Sequence, residues 1–153
     1  MSIFHGFNIN ASALTAQRLR MDIASSNIAN QQTTRATVGP NGEFEPYRRK
    51  MAVLQPSDSS FKSFLSKAKH SQSQNKVLSG VRVGNIIDDR EPFKAVFNPT
   101  HPDANEEGYV YYPNVDPLKE MVDLMGASRS YEANITSLNA TKDMLLKTLE
   151  IGR

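Results

Sequence analysis

Residues 116–150 read DPLKEMVDLMGASRSYEANITSLNATKDMLLKTLE, and their spacing predicts one long amphipathic helix. Asp116 is placed to cap its start. Pro117 falls in the first turn, where a missing N–H costs nothing, and Glu120 and Asp123 suit the positive end of the helix dipole. Met121, Leu124, Ser128, Tyr131, Ile135, Leu138, Lys142, Leu145 and Leu149 follow in alternating steps of three and four, an apolar seam interrupted only at Ser128 and Lys142. A helix of this length with one apolar stripe draws most of its stability from packing that stripe, so it requires a partner.

A first partner lies at the other end of the chain. From Ile9 to about Asn30 the spacing is again helical, with Phe7, Leu14, Met21 and Ile28 seven apart and Ala24 between them. Asn10, Gln17 and Gln31 fall on the same seam, which predicts hydrogen-bonded contacts inside a larger helical packing rather than a simple two-helix zipper. Pairing within the chain is marginal on this pattern, and association with further copies is the expected remedy.

The middle reads differently. Gly39-Pro40-Asn41-Gly42 signals a turn, and Tyr47–Leu54, Val81–Val83, Ile86-Ile87, Phe93–Phe97 and Gly108–Tyr112 read as short extended segments broken by Asn98-Pro99-Thr100-His101-Pro102-Asp103. Residues 55–80 are rich in Ser, Lys and Gln and are expected to form a mobile loop or a partly helical insertion. The fold class is therefore α+β. A unit of two terminal helices, residues 1–35 and 116–153, is joined by an irregular β-rich region, 36–115.

Composition limits function. Eighteen Lys and Arg against 16 Asp and Glu give a net charge of +2, far from the dense basic footprint of a nucleic-acid binder. Residues 41–80 lean basic and 81–115 acidic, a sorting that suits contact between subunits. The absence of cysteine excludes disulfides, thiolate metal sites and a Cys nucleophile. The beginning of the chain has no basic cluster followed by an apolar run, and nowhere do 18 apolar residues follow one another, so neither a cleaved signal nor membrane insertion is expected.

Catalytic motifs are missing: there is no Gly-x-Ser-x-Gly elbow, phosphate loop, dinucleotide fingerprint or His-Glu-x-x-His. His101 with Asp103, Glu106 and Glu107 is the one His-carboxylate cluster, and its ligand types would suit a metal enzyme. Its spacing matches no metal motif, and the flanking Pro99 and Pro102 favour a rigid turn. Arg48-Arg49-Lys50 reads as a solvated or salt-bridged strand edge. No catalytic residue, metal or cofactor is expected.

Three stretches together carry a resemblance. Ser12, Ala16-Gln17-Arg18-Leu19-Arg20-Met21-Asp22 and Ser26-Asn27-Ile28-Ala29-Asn30 with Thr33-Thr34 resemble the N-terminal signature of the bacterial flagellar rod and hook axial proteins. Tyr47-Arg48-Arg49-Lys50, the turn from Asn98 to Asn105, and Glu107–Val110 leading to Pro113–Asp116 are similar to rod members of that family. Glu120–Asp123 and Ser128–Asn134 are similar too, while 55–80 departs from the pattern.

The resemblance implies a structural subunit of the proximal rod, the periplasm-spanning shaft that transmits torque to the hook. Another rod or hook subunit is the alternative, and a small metal-binding enzyme a distant one. The partners it implies are other copies of the chain, neighbouring rod proteins, the flagellar type III export apparatus that delivers it without a cleaved signal, and the inner-membrane ring side of the basal body. It also implies packing through Leu14, Met21, Asn27, Ile28 and Asn30 of the first helix and Met121, Leu124, Tyr131, Ile135, Leu138, Leu145 and Leu149 of the second. Asn27 and Asn30 suit the satisfaction of backbone groups at the helix end.

Overall fold

A computed structural model describes residues 4–39, 42, 44–57 and 80–151. Two helices dominate it: α1, His5–Ala29, and α2, Pro117–Ile151. The Asp116 carboxylate accepts the Leu118 N–H at 3.1 Å and caps α2. The α1 helix begins a turn earlier than its apolar spacing suggests and has no side-chain cap. The helices run antiparallel, because Asn27 near the end of α1 meets Glu120 in the first turn of α2, while Asn10 meets Ser137.

The buried apolar residues of the two helices are small. Ala16 and Ala24 on α1 and Ala127 on α2 are almost wholly buried, and alanine lets two helix backbones come near the short end of the usual 8–10 Å separation. The rest of the buried apolar set, Pro46, Tyr47, Val110, Pro113 and Val115, lies where the β region meets the ends of the helices.

Among the described residues between the helices lie three separate two-stranded antiparallel ladders. They are β1, Thr37–Val38, with β2, Phe44–Glu45; β3, Lys50–Pro56, with β4, Val81–Asp88; and β5, Lys94–Phe97, with β6, Tyr109–Tyr112. The two segments read as separate in the sequence, Val81–Val83 and Ile86-Ile87, form one strand, and a register shift between Val53 and Leu54 accommodates the irregularity. Pro56 pairs with Val81 at the far end of this ladder. Of the expected loop or insertion 55–80, residues 55 and 56 belong to β3, and 58–79 lie outside the described residues.

The β3–β4 ribbon lies against α1. A side chain at Gly80 would collide with Ser12, whose hydroxyl donates to the Ile9 carbonyl at 2.7 Å and accepts the Val81 N–H at 3.1 Å. At the other end, Gly108 has φ +80°, and its carbonyl accepts the Asn98 N–H at 2.9 Å, closing the β5–β6 connection.

Candidate functional site: the helix junction and the helix flanks

A buried polar junction joins the end of α1, the start of β3 and the first turn of α2. Asn27, only 1% exposed, uses all four of its hydrogen-bonding positions. Its amide donates to the Lys50 carbonyl and to Glu120 Oε2, both at 2.9 Å, and its oxygen accepts from Tyr47 Oη and the Lys50 N–H, both at 3.0 Å. Glu120 Oε1 in turn accepts from Arg49 Nε at 2.6 Å. Asn114 closes the back of the junction, accepting the Arg49 N–H at 2.9 Å and donating to the Glu91 carbonyl at 3.2 Å.

Arg49 is the centre of charge. It faces Glu120, Asp89 at 3.3 Å and Asp123 at 3.5 Å, and both Arg49 and Glu120 are largely shielded from water. Burial pulls the guanidinium pKa down, but bonding to Glu120 and Asp89 outweighs it and leaves the group above its ordinary value. Asp89 is held below the usual carboxylate range by the Glu91 N–H, against a burial effect, with Arg49 and Lys119 adding to the depression. No buried side-chain nitrogen or oxygen among the described residues lacks a partner, so the junction is a fully satisfied brace.

Asn30 acts at its own helix end, donating to the Ser26 carbonyl at 2.9 Å. Asn27 instead reaches across to the backbone of β3. Tyr47, Arg49, Glu120 and Asn114 were not singled out from the sequence as one site. The pairs are 71 to 93 residues apart along the chain for Glu120 with Arg49 and with Asn27, and no local spacing reports such a meeting.

The helix flanks hold the apolar candidates. Facing α1 are Glu120 and Ala127, with Leu124, Tyr131, Leu138 and Leu145 half-buried beside them. Met121, Ile135 and Leu149 stand on the flank of this line and are exposed in the single chain, Met121 by 52% and Leu149 by 71%. Leu14, Met21 and Ile28 on α1 are half-buried. Met21, Leu124 and Tyr131 come together along one open groove between the helices, with Arg18, Asp22, Ser25 and Ser128 completing its walls.

The His101 cluster takes no catalytic form. Asp103 accepts from Thr34 Oγ1 at 2.7 Å and Arg35 Nε at 2.6 Å, while its own N–H donates to His101 Nδ1 at 3.1 Å. Arg35 and then Thr34 hold the Asp103 carboxyl below its usual range. The turn thus ties the chain leaving α1 to the loop between β5 and β6. Among the described residues no group of three or more His, Asp or Glu converges as a ligand set.

Comparison with known proteins agrees at both ends and over the full length. Residues 7–37 match the family described as flagella basal body rod protein, and residues 106–151 match the flagellar basal body rod FlgEFG protein C-terminal family. The chain is 58% identical to the flagellar basal-body rod protein FlgC of Bacillus subtilis over 153 residues, covering 100% of both chains. It is 40% identical to that of Escherichia coli, again over 100% of both chains, and 39% identical to that of Borreliella burgdorferi, over 99% of this chain and 98% of the relative. Conserved length, terminal helices devoted to packing and a braced middle fit together: the chain belongs to the FlgC family of flagellar basal-body rod proteins, structural and not enzymatic subunits that assemble with other rod proteins in the basal body.

Proposed function

We propose that the chain builds the proximal part of the rod and helps carry torque from the motor to the hook, joined to copies of itself and to neighbouring rod proteins through α1 and α2. The observation that carries this reading is the apolar flank of α2, where Met121 and Ile135 stay exposed although α1 already covers the adjacent face, and where Leu149 extends the row past the end of α1. Exposed apolar side chains in such a row mark an interaction surface. Leu14, Met21, Ile28, Met121, Leu124, Tyr131, Ile135, Leu138, Leu145 and Leu149 are the proposed packing residues, with Asn27 and Asn30 holding the end of α1 in register for them.

Delivery through the flagellar type III export apparatus, without cleavage, and a place next to the inner-membrane ring belong to the same proposal. Helices that gain most of their stability from packing suit a chain that must travel nearly unfolded. Removing 1–30 or 140–153 is expected to abolish rod assembly, read as loss of basal bodies extending past the inner-membrane ring and loss of motility. Normal rods from either truncation would overturn the paired-helix mechanism. Intact mass of the chain recovered from basal bodies checks the export claim: a mass short of the full sequence at its beginning would refute it.

A further inference from the structure

The β5–β6 ladder pairs Ala95 with Tyr111 and Phe97 with Tyr109, so these four side chains share one face, while the wholly buried Val110 points to the other. The shared face is open. Phe97, Tyr109 and Tyr111 are 63%, 41% and 46% exposed, and the first two rings meet edge to face with centroids 5.4 Å apart. Gly108 leaves room for this arrangement, since a Cβ there would come within 2.9 Å of the Phe97 ring. Tyr111 carries the surface on into a cleft with Phe44, Pro46, Pro102 and Glu106. Exposed aromatic rings grouped in this way mark an interaction surface.

The charge of this surface is one-sided. Between Lys94 and Tyr112, Lys94 donates to the Val115 carbonyl at 2.8 Å, Asp103 is answered by Arg35, and His101 accepts the Asp103 N–H. That leaves Glu106 and Glu107, both exposed. The complementary composition stands elsewhere in the chain: residues 61–69 read FKSFLSKAK, in which Phe61, Phe64 and Leu65 alternate with Lys62, Lys67 and Lys69. The rest of 58–79 adds Asp58 and Lys76, so the stretch as a whole is basic.

Taken with the proposed joining of copies in the rod, on which this rests, we infer that the aromatic face of β5–β6 receives residues 61–69 of a second copy of the chain. Phe61, Phe64 and Leu65 pack on Phe97, Tyr109 and Tyr111, and the lysines meet Glu106, Glu107 and the faces of the rings. The contact gives a use to the sorting of basic residues into 41–80 and acidic ones into 81–115. Chain length directs it to a second copy. The Ser57 N–H donates to the Gly80 carbonyl at 2.7 Å, and Gly80 lies against Ile9 and Ser12 of α1. The aromatic face stands at the other end of α1, where Tyr111 shares its cleft with Thr34 and Arg35. From Ser12 to Ala29 the helix covers about 26 Å, whereas the chain from Ser57 to Phe61 spans at most about 14 Å. Joining one end of a copy to the opposite end of the next is a head-to-tail contact, which extends along a polymer instead of closing as a dimer.

The sequence contains no cysteine, which allows a clean cross-linking test in assembled basal bodies. Ala95→Cys places a thiol on the aromatic face, and Ser63→Cys places one in the lysine-rich stretch. The two single variants are expressed together and beside the unsubstituted chain, so that rods form. Oxidation is expected to yield a product of twice the 17.0 kDa chain from the pair, a bond that can form only between copies, and none from either variant without the other. A chain carrying both substitutions is expected to give a series of multiples. Glu106→Lys with Glu107→Lys on the Ala95→Cys chain is expected to lower the cross-linked fraction about tenfold, and Lys67→Glu with Lys69→Glu on the Ser63→Cys chain to restore it.

A bond within one chain in the doubly substituted variant, a bond from Ser63→Cys to another rod protein, a cross-linked fraction indifferent to the charge reversals, or intact rods with no cross-link from the pair would each overturn the second-copy contact while leaving the rod reading standing. Absence of the unsubstituted chain from purified basal bodies would overturn that reading itself.

Discussion

Asn27, Arg49 and Glu120 show how three polar side chains can substitute for a large apolar core. Each is buried, and each is bonded to a different segment, so the end of α1, the first residues of β3 and the first turn of α2 cannot move independently. Removing one member of a buried ion pair strands the other, which costs about 3–5 kcal/mol. Arg49→Met is therefore expected to destabilise the protein by that amount, read as a drop in the denaturant midpoint. Arg49→Met with Glu120→Leu is expected to recover part of the loss, because Asn27 keeps its Lys50 and Tyr47 partners. A single-variant cost below about 1 kcal/mol, the range of exposed pairs, would show that the junction is not a brace. Glu120 reads in the sequence as a favourable charge near a helix start, and Arg49 as part of a solvated or salt-bridged strand edge. Their true role depends on a third residue, Asn27, far away along the chain.

At the scale of elements, the apolar spacing located both helices, and the cap and proline located the start of α2, because these signals act within one or two turns. The spacing did not say which part of the stripe α1 would cover. Alanines at 16, 24 and 127 draw the helices together along a line one residue away from Met121, Ser128 and Ile135, so half of the stripe turns to the flank. A second exposed group, Leu118, Val122 and Met125, sits on the face of α2 away from α1. Helices with this much unpartnered apolar surface are expected to be incompletely formed in isolation. Circular dichroism with sedimentation on dilute protein should show helicity that rises with concentration and oligomer size. A fully helical, concentration-independent monomer would mean that α1 and α2 already satisfy each other.

For the whole molecule, two depressed carboxylates tie distant segments: Asp89 joins the end of the β3–β4 ribbon to Arg49, and Asp103 joins the β5–β6 loop to Thr34 and Arg35. Because the folded pKa of each lies below that of a free carboxylate, each contributes stability that is present above the unfolded value and lost as pH falls through the folded one. Melting temperature is expected to hold from neutral pH to about 5 and to fall below about 4, and Asp89→Asn with Asp103→Asn should flatten that fall. An unchanged acid slope in the double variant would assign acid sensitivity elsewhere. Sequence alone determined the α+β class, the two terminal helices, the run of short strands and the family resemblance, since caps, periodicity and turn residues are written within a few neighbouring positions. Only the tertiary structure decided that Asn27, Arg49 and Glu120 meet, that Gly80 lies against Ser12, and which flank of α2 stays open. Those outcomes depend on how closely the helices approach after the chain reverses through the β region, a distance set by the alanines at their contact.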